Sequence, residues 1–291
     1  MTSPPKTALV TGIDTNTIAR GICVSLLESG YEVIATSEGQ YQTGTKERIQ
    51  FDDANAELPP VTFELGDLSS EEGLSALISR LSSRTYDVLV NCGATLASTP
   101  SGSLRNEFHE FDFSEFNRVL QYNVTAVAAI CIGLKAHIKP GGAIINLTSS
   151  AAQEGAFATI SYNASKAAVD SLTRSLANGL GPSKGIRVNS IAPGWIPPSS
   201  DVAEEGIVAL ANALTPSLVA GRPEDVVAAV HYLIGAPFQN GSVLAVDGGI
   251  TSSYLAYMLE ALQLQGISMD DTIQSLVSLI TQSKRKLRSN D

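Results

Sequence analysis

Along the first 250 residues, short runs of Val, Ile, Leu and Ala alternate with longer stretches in which apolar residues recur every three or four positions. Apolar runs of this length, bounded by turn formers, suit strands of a parallel sheet covered on both faces, where neither face meets water. They predict strands at 7–10, 32–36, 61–64, 88–90, 143–147, 187–191 and 243–246. The helical periodicity predicts helices near 17–28, 71–82, 113–137, 162–180 and 224–233. Strand and helix in alternation give an α/β fold. The expectation is a doubly wound, parallel seven-stranded sheet, Rossmann-like, in a single domain spanning residues 1–250. Residues 39–60 are long and polar and read as a surface excursion. Residues 251–291 are expected to form a C-terminal helical extension, with one apolar stripe at Leu255, Met258, Leu259 and Leu262 and a second at Ile273, Leu276, Val277 and Ile280. Such stripes need a surface to cover.

Composition narrows the partners. At 291 residues the chain can bury a full core. Its 19 basic against 29 acidic side chains leave a net charge of −10, which argues against nucleic acid and anionic membranes. Cys23, Cys92 and Cys131 sit in apolar segments without metal-like spacing, and His109, His137 and His231 are scattered. Buried free thiols in a reducing compartment fit better than a disulfide framework, and no metal site is expected. Neither an apolar leader nor a membrane-length apolar stretch is seen. The expectation is a soluble, cytoplasmic protein.

The candidate chemistry lies in Ser-Tyr-Asn-Ala-Ser-Lys, where Tyr162 and Lys166 stand four residues apart. Residues so spaced share a helix face, so the ammonium can lie beside the phenol and is expected to lower its pKa. Ser149, thirteen residues before the tyrosine, could hold a substrate oxygen against that phenol. Together they make a proton-transfer site for a carbonyl or an alcohol. Tyr-x-x-x-Lys alone also occurs in ordinary solvated helices, so the surrounding motifs decide.

Those motifs run from Lys6 to Gly249. Thr-Ala-Leu-Val-Thr-Gly (7–12) is followed by Asp-Val-Leu-Val-Asn-Cys-Gly-Ala (87–94) and by Asn123 in Tyr-Asn-Val-Thr-Ala. Ile-Ile-Asn-Leu-Thr-Ser (144–149), the Tyr162/Lys166 pair, Arg-Val-Asn-Ser-Ile-Ala-Pro-Gly (187–194) and Val-Asp-Gly-Gly (246–249) complete the series. In order and spacing the chain resembles the short-chain dehydrogenase/reductase family. The resemblance implies a nicotinamide cofactor, NAD(H) or NADP(H), and four catalytic residues. Tyr162 would exchange the hydroxyl proton, Ser149 would orient the substrate oxygen, Lys166 would hold the nicotinamide ribose, and Asn123 would fix a water in the proton relay. It implies cofactor contacts at Gly12, Asn16 and Ile18 in the first turn, and at Asp67 and Leu68. Further contacts are implied at Asn91 and Gly93, at Pro193, Gly194 and Ile196, and at Tyr162 and Lys166 themselves. For Asp67 a plain turn carboxylate fits as well, and Trp195 suits either the nicotinamide end or the core.

Three departures stand out. The first turn reads Thr-Gly-Ile-Asp-Thr-Asn-Thr-Ile-Ala-Arg-Gly, without a glycine between Gly12 and Gly21. Asn16 and Ala19 stand near the missing ones, and the loop resembles that of the enoyl reductase branch. That branch spaces its tyrosine and lysine more widely, so the catalytic helix here points to carbonyl chemistry. Ala94 replaces a glycine, and Pro198 stands where a threonine commonly binds the nicotinamide carboxamide.

The expected activity is interconversion of a ketone and a secondary alcohol. Residues 197–220 lie where the family's substrate loop lies and hold no Lys or Arg, which disfavours phosphate-bearing carriers and favours an uncharged, apolar small molecule. An ordinary amphipathic helix fits that stretch equally well. Glu38, at the end of the second strand, can accept from a ribose 2′-hydroxyl and would repel a 2′-phosphate, so NADH is expected over NADPH, although Arg20 could reach a phosphate. The family's habit implies a homodimer or homotetramer. A dinucleotide-sensing module without turnover is the rival reading.

Overall fold

In a computed structural model, residues 4–14, 17–38, 44–47, 58–95, 112–154, 159–197 and 219–252 are described, with Val208, 211–212, 215–217 and Ser278. The chain alternates β1 (Thr7–Thr11), α1 (Thr17–Glu28), β2 (Glu32–Ser37), β3 (Lys46–Glu47), β4 (Val61–Leu65), α2 (Glu71–Leu81) and β5 (Tyr86–Asn91). After it come α3 (Phe113–Leu120), a π-helical turn (Gln121–Thr125), α4 (Ala126–Gly133), β6 (Ile138–Leu147) and α5 (Ile160–Lys184). The last elements are β7 (Arg187–Pro193), α6 (Pro223–Gly235) and β8 (Val243–Val246). The strands order as β3-β4-β2-β1-β5-β6-β7-β8. Every pairing is parallel except that of β3 with β4.

The seven expected parallel strands are all present. The eighth, two residues long, falls inside the stretch read as a surface excursion. Lys46 and Glu47 pair with Thr62 and Val61, so part of that excursion returns to the sheet edge.

Successive side chains of each strand face opposite layers. Ala8, Val10, Val33, Ala35, Val88 and Val90 pack towards α1 and α6, while Leu9, Ile34 and Leu89 pack towards α2, α4 and α5. Phe63, Leu9 and Ile34 are fully buried, each such side chain contributing about 1.5–3 kcal/mol relative to exposure.

Two helices depart from expectation. The helix expected over 113–137 ends at Gly133 and is broken by the π turn, where the N–H of Ala126 bonds to the carbonyl of Gln121. The chain then turns through 134–137 into β6, which starts five residues earlier than its apolar run because Ile138 pairs with Tyr86 ahead of a register shift. Helix α5 continues past Leu180 through Pro182 and stops at Gly185, which takes a left-handed φ of 65°. No helix among the described residues is long and apolar enough to cross a membrane. Both tail stripes lie outside the described residues, as do Asn16 and 198–207.

Candidate active site

The strand order reverses between β1 and β5, and ligands of doubly wound sheets bind at the carboxyl ends flanking that point. Gly12 ends β1 with φ of 73°, and a Cβ there would lie 2.2 Å from the Cα of Gly93 beyond β5. The two backbones therefore meet with no side chain between them. Helix α1 opens nearby with no acidic residue in its first turn, so the positive end of its dipole suits a pyrophosphate. Ile18 lies in that turn, partly buried against the core. These features fit a dinucleotide, whose phosphates Gly12 and the start of α1 would hold.

At the next strand pair, β6 delivers Ser149. Its backbone is extended (φ −168°), and its hydroxyl accepts from the N–H of Ala151 at 3.2 Å, capping the short helical turn Ser150–Ala152. Ser150 is buried within that turn. From α5, the phenol of Tyr162 comes close enough to the Ser149 hydroxyl to be influenced by it. The ammonium of Lys166, 2 % exposed, sits 5.5 Å from the centre of the Tyr162 ring and donates to the carbonyl of Leu147 at 2.9 Å. An ammonium has three donors, and this contact uses one.

Electrostatics at the pair correct the sequence expectation. Burial pushes the Tyr162 phenol up, against the pull of the Ser149 hydroxyl, rather than the neighbouring cation drawing it down. Burial also brings Lys166 down to about 8, with Cys92 and Asp170 acting in the opposite direction. Both shifts have one cause: a dry site disfavours the charged form of each group. Asp170, one turn beyond Lys166, is itself buried and accepts from the Ser190 hydroxyl at 3.1 Å.

Asn123 lies in the π turn, buried. Its side chain accepts from the N–H of Thr95 (2.8 Å) and donates to the carbonyl of Thr95 (2.9 Å) and to Ser165 Oγ (3.0 Å). Ser165 in turn donates to the carbonyl of Tyr162 at 2.7 Å. One side chain thus ties the segment after β5 to the first turns of α5.

Other expected cofactor residues have their side chains elsewhere. Asn91 faces the α4 and α5 layer, where its amide donates to Asn146 Oδ1 (2.8 Å) and Cys131 Sγ (3.2 Å). Only its backbone is left for the cleft. The carboxylate of Asp67 accepts from the Ser69 N–H and from the Ser69 and Ser70 hydroxyls, the turn-carboxylate alternative. Leu68 packs in the core. Pro193 closes β7, and a Cβ on Gly194 would lie 2.7 Å from the Cα of Asp247, so this glycine serves a backbone crossing. Ile196 packs against the core, and Trp195 is 37 % exposed rather than buried in it. Trp195 lines a cavity of about 530 Å³ with Gly221, Arg222, Asp247 and Gly248, and Asn123, Ser149, Tyr162 and Lys166 do not line it.

The sequence missed two further residues. The Glu38 carboxylate accepts from the Tyr122 hydroxyl, and Asp14 bonds to the end of β2. Both contacts join distant segments and carry no local signal.

Residues 12–251 match the family model described as Enoyl-(Acyl carrier protein) reductase. The chain is 29% identical over 259 residues to an acetoacetyl-CoA reductase of Acinetobacter sp. (strain RA3849), covering 85% of this chain and 98% of the relative. It is 31% identical over 257 residues to glucose 1-dehydrogenase 2 of Bacillus subtilis (strain 168), covering 84% and 95%. Among solved structures, the Pseudomonas aeruginosa RhlG/NADP active-site complex superposes with a TM-score of 0.69 at 28% identity, covering 84% of this chain and 96% of that one.

Proposed function

Since the chain belongs to the short-chain dehydrogenase/reductase family and is an NAD(P)-dependent oxidoreductase, we propose that it interconverts a ketone and a secondary alcohol, on an uncharged and largely apolar substrate, with NADH as the preferred cofactor. The observation that carries this reading is the meeting of the Ser149 hydroxyl, the Tyr162 phenol and the buried Lys166 ammonium near the close approach of Gly12 and Gly93.

The nicotinamide ring, when bound, supplies or accepts the hydride. The chain's own work is with the proton. In the reductive direction Ser149 holds the carbonyl oxygen and Tyr162 gives its phenolic proton to the developing alkoxide, leaving a phenolate. The Lys166 ammonium stabilises that phenolate in a dry site, where the attraction between the two charges is strong. In the oxidative direction the same proton returns from the alcohol to the phenolate. The phenol, raised by burial, rests neutral, while a lysine brought down to about 8 still keeps its proton at neutral pH. The new charge is therefore the phenolate that forms as the proton moves.

The four-residue spacing of Tyr162 and Lys166 favours carbonyl chemistry over reduction of an enoyl double bond. The absence of Lys and Arg from 197–220 favours an uncharged substrate, and Glu38 at the end of β2 favours a free 2′-hydroxyl.

The test is a panel of ketones, secondary alcohols, an enoyl thioester and an acetoacetyl thioester, with each cofactor, followed by nicotinamide absorbance. Turnover is expected with apolar ketones and NADH. Turnover confined to the thioesters would overturn the substrate reading. Cofactor binding without turnover on any member would favour the dinucleotide-sensing module.

A further inference from the structure

The loop after β1 lacks the usual glycines, yet it is tied closely to the end of β2. The N–H of Gly12 donates to Thr36 Oγ1 at 3.1 Å, and the N–H of Ile13 to the Thr36 carbonyl at 3.1 Å. The Asp14 carboxylate then takes both neutral donors at the strand end. Asp14 Oδ1 accepts from the Ser37 hydroxyl at 2.5 Å, and Asp14 Oδ2 accepts from the backbone N–H of Glu38 at 2.7 Å. The Arg20 guanidinium donates to the Asp14 carbonyl at 2.8 Å.

The end of the second strand is where doubly wound folds read the 2′ position of the adenosine ribose. A 2′-phosphate placed there needs hydroxyl, backbone N–H or guanidinium donors. Here an internal carboxylate already occupies the hydroxyl and the N–H, and the guanidinium is turned to a carbonyl of the same loop. Beside it the Glu38 carboxylate accepts from the Tyr122 hydroxyl and stays an acceptor for a ribose hydroxyl. Burial, with Asp14 and Asp67 adding to it, holds the Glu38 carboxyl above its usual range, as expected where carboxylates crowd one another.

We propose that Asp14 sets the choice of cofactor: its carboxylate fills the anion seat at the end of β2, so that a dinucleotide with a free 2′-hydroxyl binds and one carrying a 2′-phosphate is rejected. The inference rests on the NADH preference proposed above and names the residue that produces it. In the glycine-poor loop, Asp14 joins β1 to β2 and repels the phosphate with the same carboxylate.

Calorimetry with ADP and 2′,5′-ADP, which need no turnover, measures the effect directly. The parent should bind ADP more tightly, and a like charge brought into contact is worth about a 100-fold difference. Asp14→Asn, close in shape but neutral, should narrow that ratio at least about tenfold, chiefly by tightening 2′,5′-ADP. Asp14→Ser, which frees both donors, should narrow it further. In the parent the ratio should also shrink as salt rises, because the rejection is one of charge. That arm stands even where a variant fails to fold. A parent that prefers 2′,5′-ADP would overturn the NADH reading and this inference together. A parent that prefers ADP by a ratio insensitive both to salt and to Asp14→Asn overturns the inference alone, as does equal weakening of both ligands, which makes Asp14 only a loop pin.

Discussion

At the scale of single residues, Tyr162 and Lys166 divide the work in a way that mutation separates. Tyr162→Phe removes the phenolic hydroxyl, and with it the transferable proton, at little change of volume. Turnover should fall by three orders of magnitude or so, against the usual contribution of about 10²–10⁴ for a positioned acid or base. Cofactor affinity, read by nicotinamide fluorescence, should change less than about threefold. Near-parental turnover in this variant would remove the proposed mechanism. Lys166 makes a different prediction, in stability. Its folded-state pKa is brought down to about 8 from an ordinary 10.5 by burial. Below pH 8 both folded and unfolded chains carry the proton, and the folded state bears the full cost of a buried ammonium. Between pH 8 and 10.5 the folded chain releases that proton while the unfolded chain keeps it, so the cost is relieved and stability rises with pH. Lys166→Met has no such group. The stability of Lys166→Met minus that of the parent should therefore fall by up to about 3 kcal/mol across this range, read by denaturant unfolding without cofactor. A flat difference would mean that Lys166 titrates near its ordinary value.

At the scale of elements, the π turn and the β1 loop put chemistry where regular structure would not. A π turn admits one extra residue into a helix and is common at functional sites. Here it carries Asn123, whose three hydrogen bonds hold Thr95 and Ser165 together. Asn123→Ala should cost about 1–3 kcal/mol for the buried groups left unpaired, and turnover should fall more than cofactor affinity. Equal losses in both would give Asn123 a purely structural part. Gly12→Ala should be worse for binding, since the added methyl group meets the Gly93 backbone at a left-handed φ; dinucleotide affinity is expected to drop beyond detection by calorimetry. These elements also show what a sequence reveals. The parallel strands were legible because burial on both faces writes itself as apolar runs, and the Tyr162/Lys166 pair because helix spacing is local. The strand at Lys46–Glu47 was not, because two residues pair only through their partner's edge. The direction of the Asn91 side chain follows strand parity, which sends it with Leu89 towards α4 and α5 and leaves the backbone for the expected cofactor contact. Asp14 and Tyr122 act across 24 and 84 positions of chain, and no local pattern records such contacts.

At the scale of the whole molecule, the sheet ends at β8, whose sequence Val-Leu-Ala-Val carries no charge or proline and stays partly exposed. Edge strands of this kind invite pairing with another chain unless something covers them. Close by in sequence, Phe238 is fully exposed and Tyr232 about half exposed, more apolar surface than an isolated molecule needs to show. A homo-oligomer that covers the β8 edge and these rings is the expected state, to be read by light scattering. Phe238→Asp should reduce the assembly while leaving the isolated fold intact, because that ring buries nothing within its own chain. The tail enters the same experiment. Its two apolar stripes, at Leu255–Leu262 and Ile273–Ile280, are expected to pack across the interface, so a chain ending at Ser252 should lose both assembly and part of its turnover. A truncated protein that keeps its mass in solution and its full activity would leave residues 253–291 with neither role, and would place the covering of β8 with the neighbouring subunit's own strand and rings.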